Sequence, residues 1–279
     1  MMRLSFSTLA CPNWKIEPIL ALASNAGYQG VELRFVEEQD ALWKLADFRG
    51  AGLAETQKRI AGYGLAISCV DTSCFFHYAE KARRLAELEE GKRMADLAAE
   101  LGAPGVRVFG DRVQQGADRA STVHWIGDAI AILAEAATSS GVEVWLETHG
   151  DFASPPATLE LLRACGAANT GVLWDPANCF AESGELPSEA APTLGSALRM
   201  VHLKDQRQDA NGVWEPTLMG QGTVPLLDIL ASLRKQRYRG FLSFEWEKKW
   251  HPHIPDASLA VPQFAEWVRR YALKADLTE

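Results

Sequence analysis

Residues 142–175 read VEVWLETHGDFASPPATLELLRACGAANTGVLWD, and this stretch decides the fold class. Two short apolar runs, 142–147 and 171–175, flank a longer segment, 157–165, whose apolar residues have helical spacing. A strand, a helix and a second strand in this order form the unit from which parallel sheets are built. The stretch therefore predicts an α/β protein with Glu147 and Asp175 at the carboxyl ends of two parallel strands.

The same alternation of short apolar runs and longer amphipathic segments extends along the whole chain. Strands are predicted at 4–9, 30–34, 65–70, 105–110, 142–147, 171–175, 200–204 and 241–245, and helices at 17–26, 53–63, 79–101, 121–139, 157–165 and 261–272. An open doubly wound sheet usually has a glycine-rich loop after an early strand, but here residues 10–14 read ACPNW. Eight strands without a linker or repeat predict a single (β/α)8 TIM barrel over residues 1–279.

Composition excludes several functional classes. The chain has 36 acidic and 28 basic residues, and its net charge of −8 argues against a nucleic-acid partner. It has no apolar stretch long enough for a membrane span, and its first residues lack a signal-peptide pattern. Five cysteines without CxxC spacing favour free thiols. We therefore expect a cytoplasmic protein without a membrane or nucleic-acid partner.

Four consecutive predicted strands end in an ionisable side chain: Glu147, Asp175, His202 and Glu245. In a barrel these strand ends meet at one face, where active sites lie. Burying four such groups is costly unless a cation compensates their charge. Three carboxylates and one histidine suit a single divalent ion. We expect Mn²⁺, with Mg²⁺, Co²⁺ or Zn²⁺ as alternatives.

With these residues the sequence resembles the xylose isomerase-like barrel superfamily, which includes ketose 3-epimerases, hydroxypyruvate isomerases, inosose dehydratases and endonuclease IV. The motifs that carry the resemblance are GVEL at 30–33, LETH at 146–149, WDPAN at 174–178, HLKD at 202–205, and GQG at 220–222 ahead of YRGF at 238–241. The resemblance implies that Glu147, Asp175, His202 and Glu245 bind the metal. It also implies that Glu147 and Glu245 are the catalytic residues, which exchange protons with opposite faces of a sugar through a metal-stabilised enediolate.

Further residues at or beyond the strand ends are candidates for substrate binding: Glu32, His77, Arg107, His149, Asn178, Lys204 and Glu247. Alternation along the last strand places Glu247 on the same face as Glu245 but about 6–7 Å higher, at ~3.3 Å per residue. That height suits a contact to the far end of a substrate rather than to the ion.

Three positions differ from the ketose 3-epimerase pattern and leave the reaction open. Asn178 stands where those enzymes have a histidine, Gln208 where they have an arginine, and Ala153 where they have a second glutamate. We therefore expect a metal-dependent isomerase or epimerase of a small sugar or polyhydroxylated carbonyl compound. A lyase or dehydratase acting on a keto-inositol or keto-glycoside, and a non-catalytic sugar-binding barrel, remain alternatives. Whether the chain forms a homo-oligomer is also open.

Overall fold

Eight parallel strands form one sheet in a computed structural model that describes residues 2–271. These strands are β1 (Arg3–Phe6), β2 (Gly30–Leu33), β3 (Ala66–Phe75), β4 (Gly105–Phe109), β5 (Glu143–Glu147), β6 (Thr170–Trp174), β7 (Leu198–Leu203) and β10 (Phe241–Phe244). Their order in the sheet is β1-β10-β7-β6-β5-β4-β3-β2. Between β7 and β10 a separate antiparallel hairpin consists of β8 (Asp205–Gln208) and β9 (Trp214–Thr217). The predicted TIM barrel is confirmed, and the hairpin was not predicted.

Nine helices surround the sheet within the described residues. They are α1 (Ile16–Asn25), α2 (Gly50–Gly62), α3 (Lys81–Glu100), α4 (Arg119–Ala137), α5 (Pro155–Cys165), α6 (Pro176–Ser183), α7 (Pro187–Leu194), α8 (Leu226–Lys235) and α9 (Ala257–Tyr271). The six predicted helices are present with bounds shifted by a few residues, although the predicted end of the last one, residue 272, lies outside the described residues. The short helices α6 and α7 and the helix α8 were not predicted. None of the nine is both long enough and apolar enough to cross a bilayer.

The start of α6 shows how local sequence shapes the mouth of the barrel. Asp175 directly follows β6, and its Oδ1 accepts a hydrogen bond of 2.9 Å from the backbone N–H of Asn178. Pro176 occupies the first turn, where its missing N–H costs nothing and its fixed φ suits the helix. The Asp175-Pro176 pair thus begins a helix directly after β6. The second carboxylate oxygen of Asp175 is left to face the barrel interior.

The two ends of the sheet, β1 and β2, meet at a seam that side chains help to hold. One parallel backbone bridge joins Ser7 to Glu32. The Thr8 hydroxyl accepts hydrogen bonds from the backbone N–H groups of Arg34 and Phe35, at 2.8 and 3.0 Å. The Gln29 side chain accepts another from the N–H of Leu4. Closure at this seam depends on these contacts because the regular strand ladder is short there.

The floor of the barrel is a small apolar cluster of Cys69, Trp145, Leu173, Met200 and Phe241, all at most 5 % exposed. These residues come from five strands, and a side chain two positions further along a strand lies on the same face. The positions directly above Trp145, Leu173 and Met200 are therefore those of Glu147, Asp175 and His202. A much larger core lies outside the sheet, between the strands and the helices.

Candidate metal centre and the cavity above it

Four side chains from neighbouring strands converge at the carboxyl-terminal end of the barrel. Glu147 ends β5, Asp175 follows β6, His202 lies in β7 and Glu245 follows β10. Each is buried, and each offers one ligand atom that lies within 4.8 Å of the ligand atoms of the other three. This spacing is short enough for one ion to contact all four, so the cluster can hold a metal.

The orientation of His202 fits a cation at this place. Its Nε2 lies 2.6 Å from Oε1 of Glu32, a completely buried carboxylate, and donates a hydrogen bond to it. Its Nδ1 has no hydrogen-bond partner among the described residues. That atom faces Oε1 of Glu245 at 3.3 Å, Oε1 of Glu147 at 3.8 Å and Oδ2 of Asp175 at 4.0 Å. Burial would lower the pKa of His202, but Glu32 and Glu245 raise it well above its ordinary value, so positive charge is favoured at Nδ1. A proton or a divalent ion can supply that charge, and three carboxylates with one imidazole are a donor set that suits such an ion.

Lys204 carries positive charge into the same cluster. Its Nζ lies 2.9 Å from Oδ2 of Asp175, 2.7 Å from Oε2 of Glu245 and 2.5 Å from Oε1 of Glu247. Burial alone would raise the pKa of the Glu245 carboxyl, but Lys204 and His202 hold that pKa well below its ordinary value. Burial outweighs the same lysine at Asp175 and raises its pKa to about 6. Lys204 therefore fixes Glu245 in its ionised form.

Arg107 lies beside Glu147, as Lys204 lies beside Glu245. Its Nε lies 3.2 Å from Oε2 of Glu147, and its Nη2 lies 3.2 Å from Oδ2 of Asp71. All three side chains are buried, and the guanidinium carbon of Arg107 lies 4.0 Å from the ring centre of Phe109. Burial raises the pKa of Asp71 to about 7, although Arg107 opposes this. Each of the two glutamates thus has its own cationic neighbour.

A cavity of about 250 Å³ opens above the cluster and brings together most of the predicted site residues. Its lining consists of Leu9, Arg34, Phe75, Arg107, Phe109, Glu147, His149, Asn178, Lys204, Glu245, Glu247 and Trp250. Among the predicted substrate-binding residues, Glu32 and His77 do not line this cavity. Glu32 lies beneath it against His202, and His77 lies behind Phe75 with Nδ1 3.2 Å from the carbonyl oxygen of Gly110.

His149 is held from behind by a carboxylate that the sequence analysis did not single out. Oδ1 of Asp111 lies 2.8 Å from Nδ1 of His149, and Oδ2 lies 3.6 Å from Nδ1 of His77. Asp111 has a φ of 64°, in the left-handed region that few residues other than glycine adopt. The acidic group therefore orients His149, whose other ring nitrogen is left for contacts in the cavity.

Two further charged residues of the site, Arg34 and Asp71, were also missed. Arg34 follows Glu32 by two positions, just as Lys204 follows His202, so strand alternation offered a signal for it. Asp71 lies within β3, which extends five residues beyond the predicted end at residue 70. No pattern in the sequence marked that extension.

The chain is similar to known proteins over nearly its whole length. The family model described as xylose isomerase-like TIM barrel matches residues 20–271. A xylose isomerase domain protein from Alicyclobacillus acidocaldarius subsp. acidocaldarius is 22 % identical, with a TM-score of 0.78 over 99 % of this chain and 100 % of that one. D-psicose 3-epimerase from Clostridium cellulolyticum H10 is 15 % identical, with a TM-score of 0.78 over 98 % and 99 %. The probable 3-DHS dehydratase AsbF from Bacillus anthracis is 18 % identical, with a TM-score of 0.78 over 96 % and 99 %. At these identities the likenesses show the fold. No curated protein matches the chain by sequence.

Proposed function

This chain belongs to the xylose isomerase-like TIM barrel family, and from that premise we propose that it is a divalent-metal-dependent isomerase or epimerase of a small polyhydroxylated carbonyl compound. One observation carries the proposal. The ligand atoms of Glu147, Asp175, His202 and Glu245 lie within 4.8 Å of one another, and two of these residues, Glu147 and Glu245, line a cavity of about 250 Å³. That volume suits a small sugar, and the solved structures similar to this chain include enzymes named for ketose epimerisation.

The four clustered residues would hold the ion, and we place Mn²⁺ first because the donors are three carboxylates and one imidazole. When bound, such an ion supplies Lewis acidity, which stabilises negative charge on substrate oxygens as a C–H proton leaves. Glu32 keeps His202 in the tautomer that directs the Nδ1 lone pair into the cluster.

We assign proton transfer to Glu147 and Glu245. They come from β5 and from the end of β10, strands that are separated in the sheet by β6 and β7. Their carboxylates therefore reach the cavity from two sides. One carboxylate can remove a proton from a substrate carbon, while the other, which enters the turnover with a proton taken from solvent, delivers it to the opposite face and so inverts the centre; the first then releases its proton to solvent. Return to the neighbouring carbon isomerises instead. Arg107 lies 3.2 Å from Glu147 and Lys204 lies 2.7 Å from Glu245, so each carboxylate is held in position by a cationic neighbour.

A panel of ketoses, inososes and keto-glycosides, incubated with the Mn²⁺-loaded protein in D₂O and followed by NMR, tests the proposal. We expect an isomerised or epimerised product that carries solvent deuterium on the reacting carbon. Glu147→Gln and Glu245→Gln should each abolish this exchange, whereas Glu89→Gln, an exposed change of equal charge, should not. Failure of the wild-type protein to bind a divalent metal, or turnover without deuterium entry, would contradict the mechanism.

A lyase is the second candidate, because the cavity holds a further group suited to protonating a leaving hydroxyl. His149 lines the cavity next to Glu147, and Asp111 fixes it from behind at 2.8 Å. An elimination needs an acid for the departing oxygen in addition to the base. Mass spectrometry separates the candidates, since dehydration removes one water from the substrate and epimerisation conserves its formula. Binding of a sugar without any conversion would instead support the non-catalytic barrel.

A further inference from the structure

Three cationic side chains line the cavity, and two of them already have carboxylate partners. Lys204 lies within 2.9 Å of oxygens from Asp175, Glu245 and Glu247. Arg107 lies 3.2 Å from oxygens of Asp71 and Glu147. The positive charge of both is therefore matched by the protein itself. The third cation, Arg34, has no carboxylate of the described residues in direct contact: Asp40 is reached only through the Ser73 hydroxyl, and Asp71 and Glu147 act on it from a distance.

Arg34 is 6 % exposed, and within residues 2–271 no carboxylate oxygen lies within 4.0 Å of its guanidinium. Its Nη2 donates a hydrogen bond of 2.8 Å to the Ser73 hydroxyl, which in turn donates to Asp40 at 2.7 Å. Its Nη1 is buried and makes no hydrogen bond to the described residues. A buried guanidinium is normally paired, because the loss of hydration is costly without an opposite charge.

The surroundings of Arg34 would strengthen its contact with an anion. The guanidinium carbon lies 4.5 Å from the ring centre of Phe35, and the apolar side chains of Leu9, Phe75 and Trp250 line the same cavity. Burial, together with the nearby Arg107, lowers the pKa of Arg34 to about 10 although Asp71, Asp40 and Glu147 act in the opposite direction, and Arg34 stays charged at neutral pH. In such surroundings a charge pair is screened less than in water.

We infer that Arg34 binds a terminal oxyanion of the substrate, so that the enzyme acts on an acidic sugar derivative rather than on a neutral sugar. The inference rests on the proposed function, because the cavity that Arg34 lines is the one above the metal cluster. The planar guanidinium suits a carboxylate or phosphate, with which it can form two parallel hydrogen bonds. The anion lies at Arg34, and the carbonyl and hydroxyl groups extend toward Glu147 and Glu245.

Calorimetric binding to matched ligands tests this assignment. D-Fructose and D-fructuronate differ only by a terminal CH₂OH or carboxylate, D-fructose 6-phosphate supplies the phosphate, and glycerol with D-glycerate is a shorter pair. Because a carboxylate can also bind the ion, the diagnostic quantity is the change in acid preference between wild type and Arg34→Gln. We expect the wild type to prefer the acidic member of at least one pair by about 10- to 100-fold, and R34Q to lose most of this preference.

Two variants control for folding and for overall charge. Arg34→Lys keeps a cation without the planar fork, and we expect it to retain only part of the preference. Arg59→Gln removes an equal charge from a partly exposed position on α2, and it should keep the whole preference. Tighter binding of fructuronate than of fructose 6-phosphate assigns the site to a carboxylate, and the reverse order assigns it to a phosphate.

The outcomes separate this inference from the proposed function. An acid preference that is absent in the wild type, or equal in the wild type, R34Q and R34K, overturns the role of Arg34, even if Mn²⁺ binds and deuterium exchange occurs. Conversely, an Arg34-dependent preference in a protein that binds no Mn²⁺ supports this inference and overturns the proposed metal chemistry.

Discussion

Replacement of Glu32 by glutamine tests the contact that supports the proposed metal centre. The carboxylate is completely buried and accepts the Nε2–H of His202 at 2.6 Å, and it also accepts the hydroxyl of Ser243. In Glu32→Gln the amide oxygen can accept only a weaker, neutral hydrogen bond. If the amide instead turns its NH₂ toward Nε2, the imidazole proton moves to Nδ1, the atom that faces the cluster. Both arrangements weaken His202 as a ligand.

The size of the effect follows from this geometry. Loss of a hydrogen-bond partner behind a ligating histidine typically lowers metal affinity by about 10- to 100-fold. At 1.36 kcal/mol per factor of ten, this is about 1.4–2.7 kcal/mol. We expect the upper part of the range, because the pair is buried and charge-assisted.

The assay is Mn²⁺ binding by competition with a chelator, measured for wild type, Glu32→Gln and Glu89→Gln. Glu89 is exposed on α3 and pairs with Lys92, so its variant controls for the lost charge. Circular dichroism and the unfolding midpoint show whether each variant is folded. A folded Glu32→Gln protein with the Mn²⁺ affinity of the wild type would refute the role of Glu32 and the assignment of Nδ1 as the ligand atom.

Three further substitutions separate the functions of neighbouring groups. Glu245→Gln keeps an oxygen but removes the base, so metal content by mass spectrometry should persist while turnover falls by ~10²-fold or more; retained turnover would exclude Glu245 as a base. Glu247→Ala should raise KM and keep the metal, because Oε1 of Glu247 lies 2.5 Å from Lys204 and outside the four-residue cluster. Loss of metal in this variant would show that Glu247, rather than Glu245, is the ligand. Asp205→Asn should lower the free energy of unfolding by about 1–3 kcal/mol, because the carboxylate accepts backbone N–H groups of Gly220 and Gly222 at 2.8 Å each. Thermal unfolding measures that loss, with the exposed Asp96→Asn as control, and equal midpoints would contradict it.

The fold and the cluster could be predicted because both depend on periodic features. Apolar runs separated by amphipathic segments gave the eight barrel strands, and the polar residue after each run gave Glu147, Asp175, His202 and Glu245. In a parallel barrel these positions meet wherever the strands have similar register. The hairpin β8–β9 was not predicted, because Arg207, Gln208 and Trp214 lie in a polar segment without apolar alternation.

The contacts behind the cluster could not be predicted, since they depend on small shifts of register. The pairing of β2 with β3 shifts between Val31 and Glu32, and a shift of this kind re-aims side chains near a site. Because Glu32 lies near the end of a strand, the sequence suggested that it faces substrate, whereas in the structure it lies beneath His202. Asp111 was missed for a different reason: it lies in a loop, where its carbonyl accepts the N–H of Asp151 and its backbone is left-handed, and no glycine occupies that position to mark the turn.

The apolar floor formed by Trp145 and its four neighbours determines how a ligand can enter and leave the barrel. Because these side chains close the end of the barrel opposite the mouth, a ligand that occupies the cavity leaves by the path it entered. A molecule still in the cavity therefore excludes the next one, because both must use the same entrance. For the proposed reaction this arrangement predicts competitive product inhibition, with the residence time of the product as an upper bound on the turnover rate.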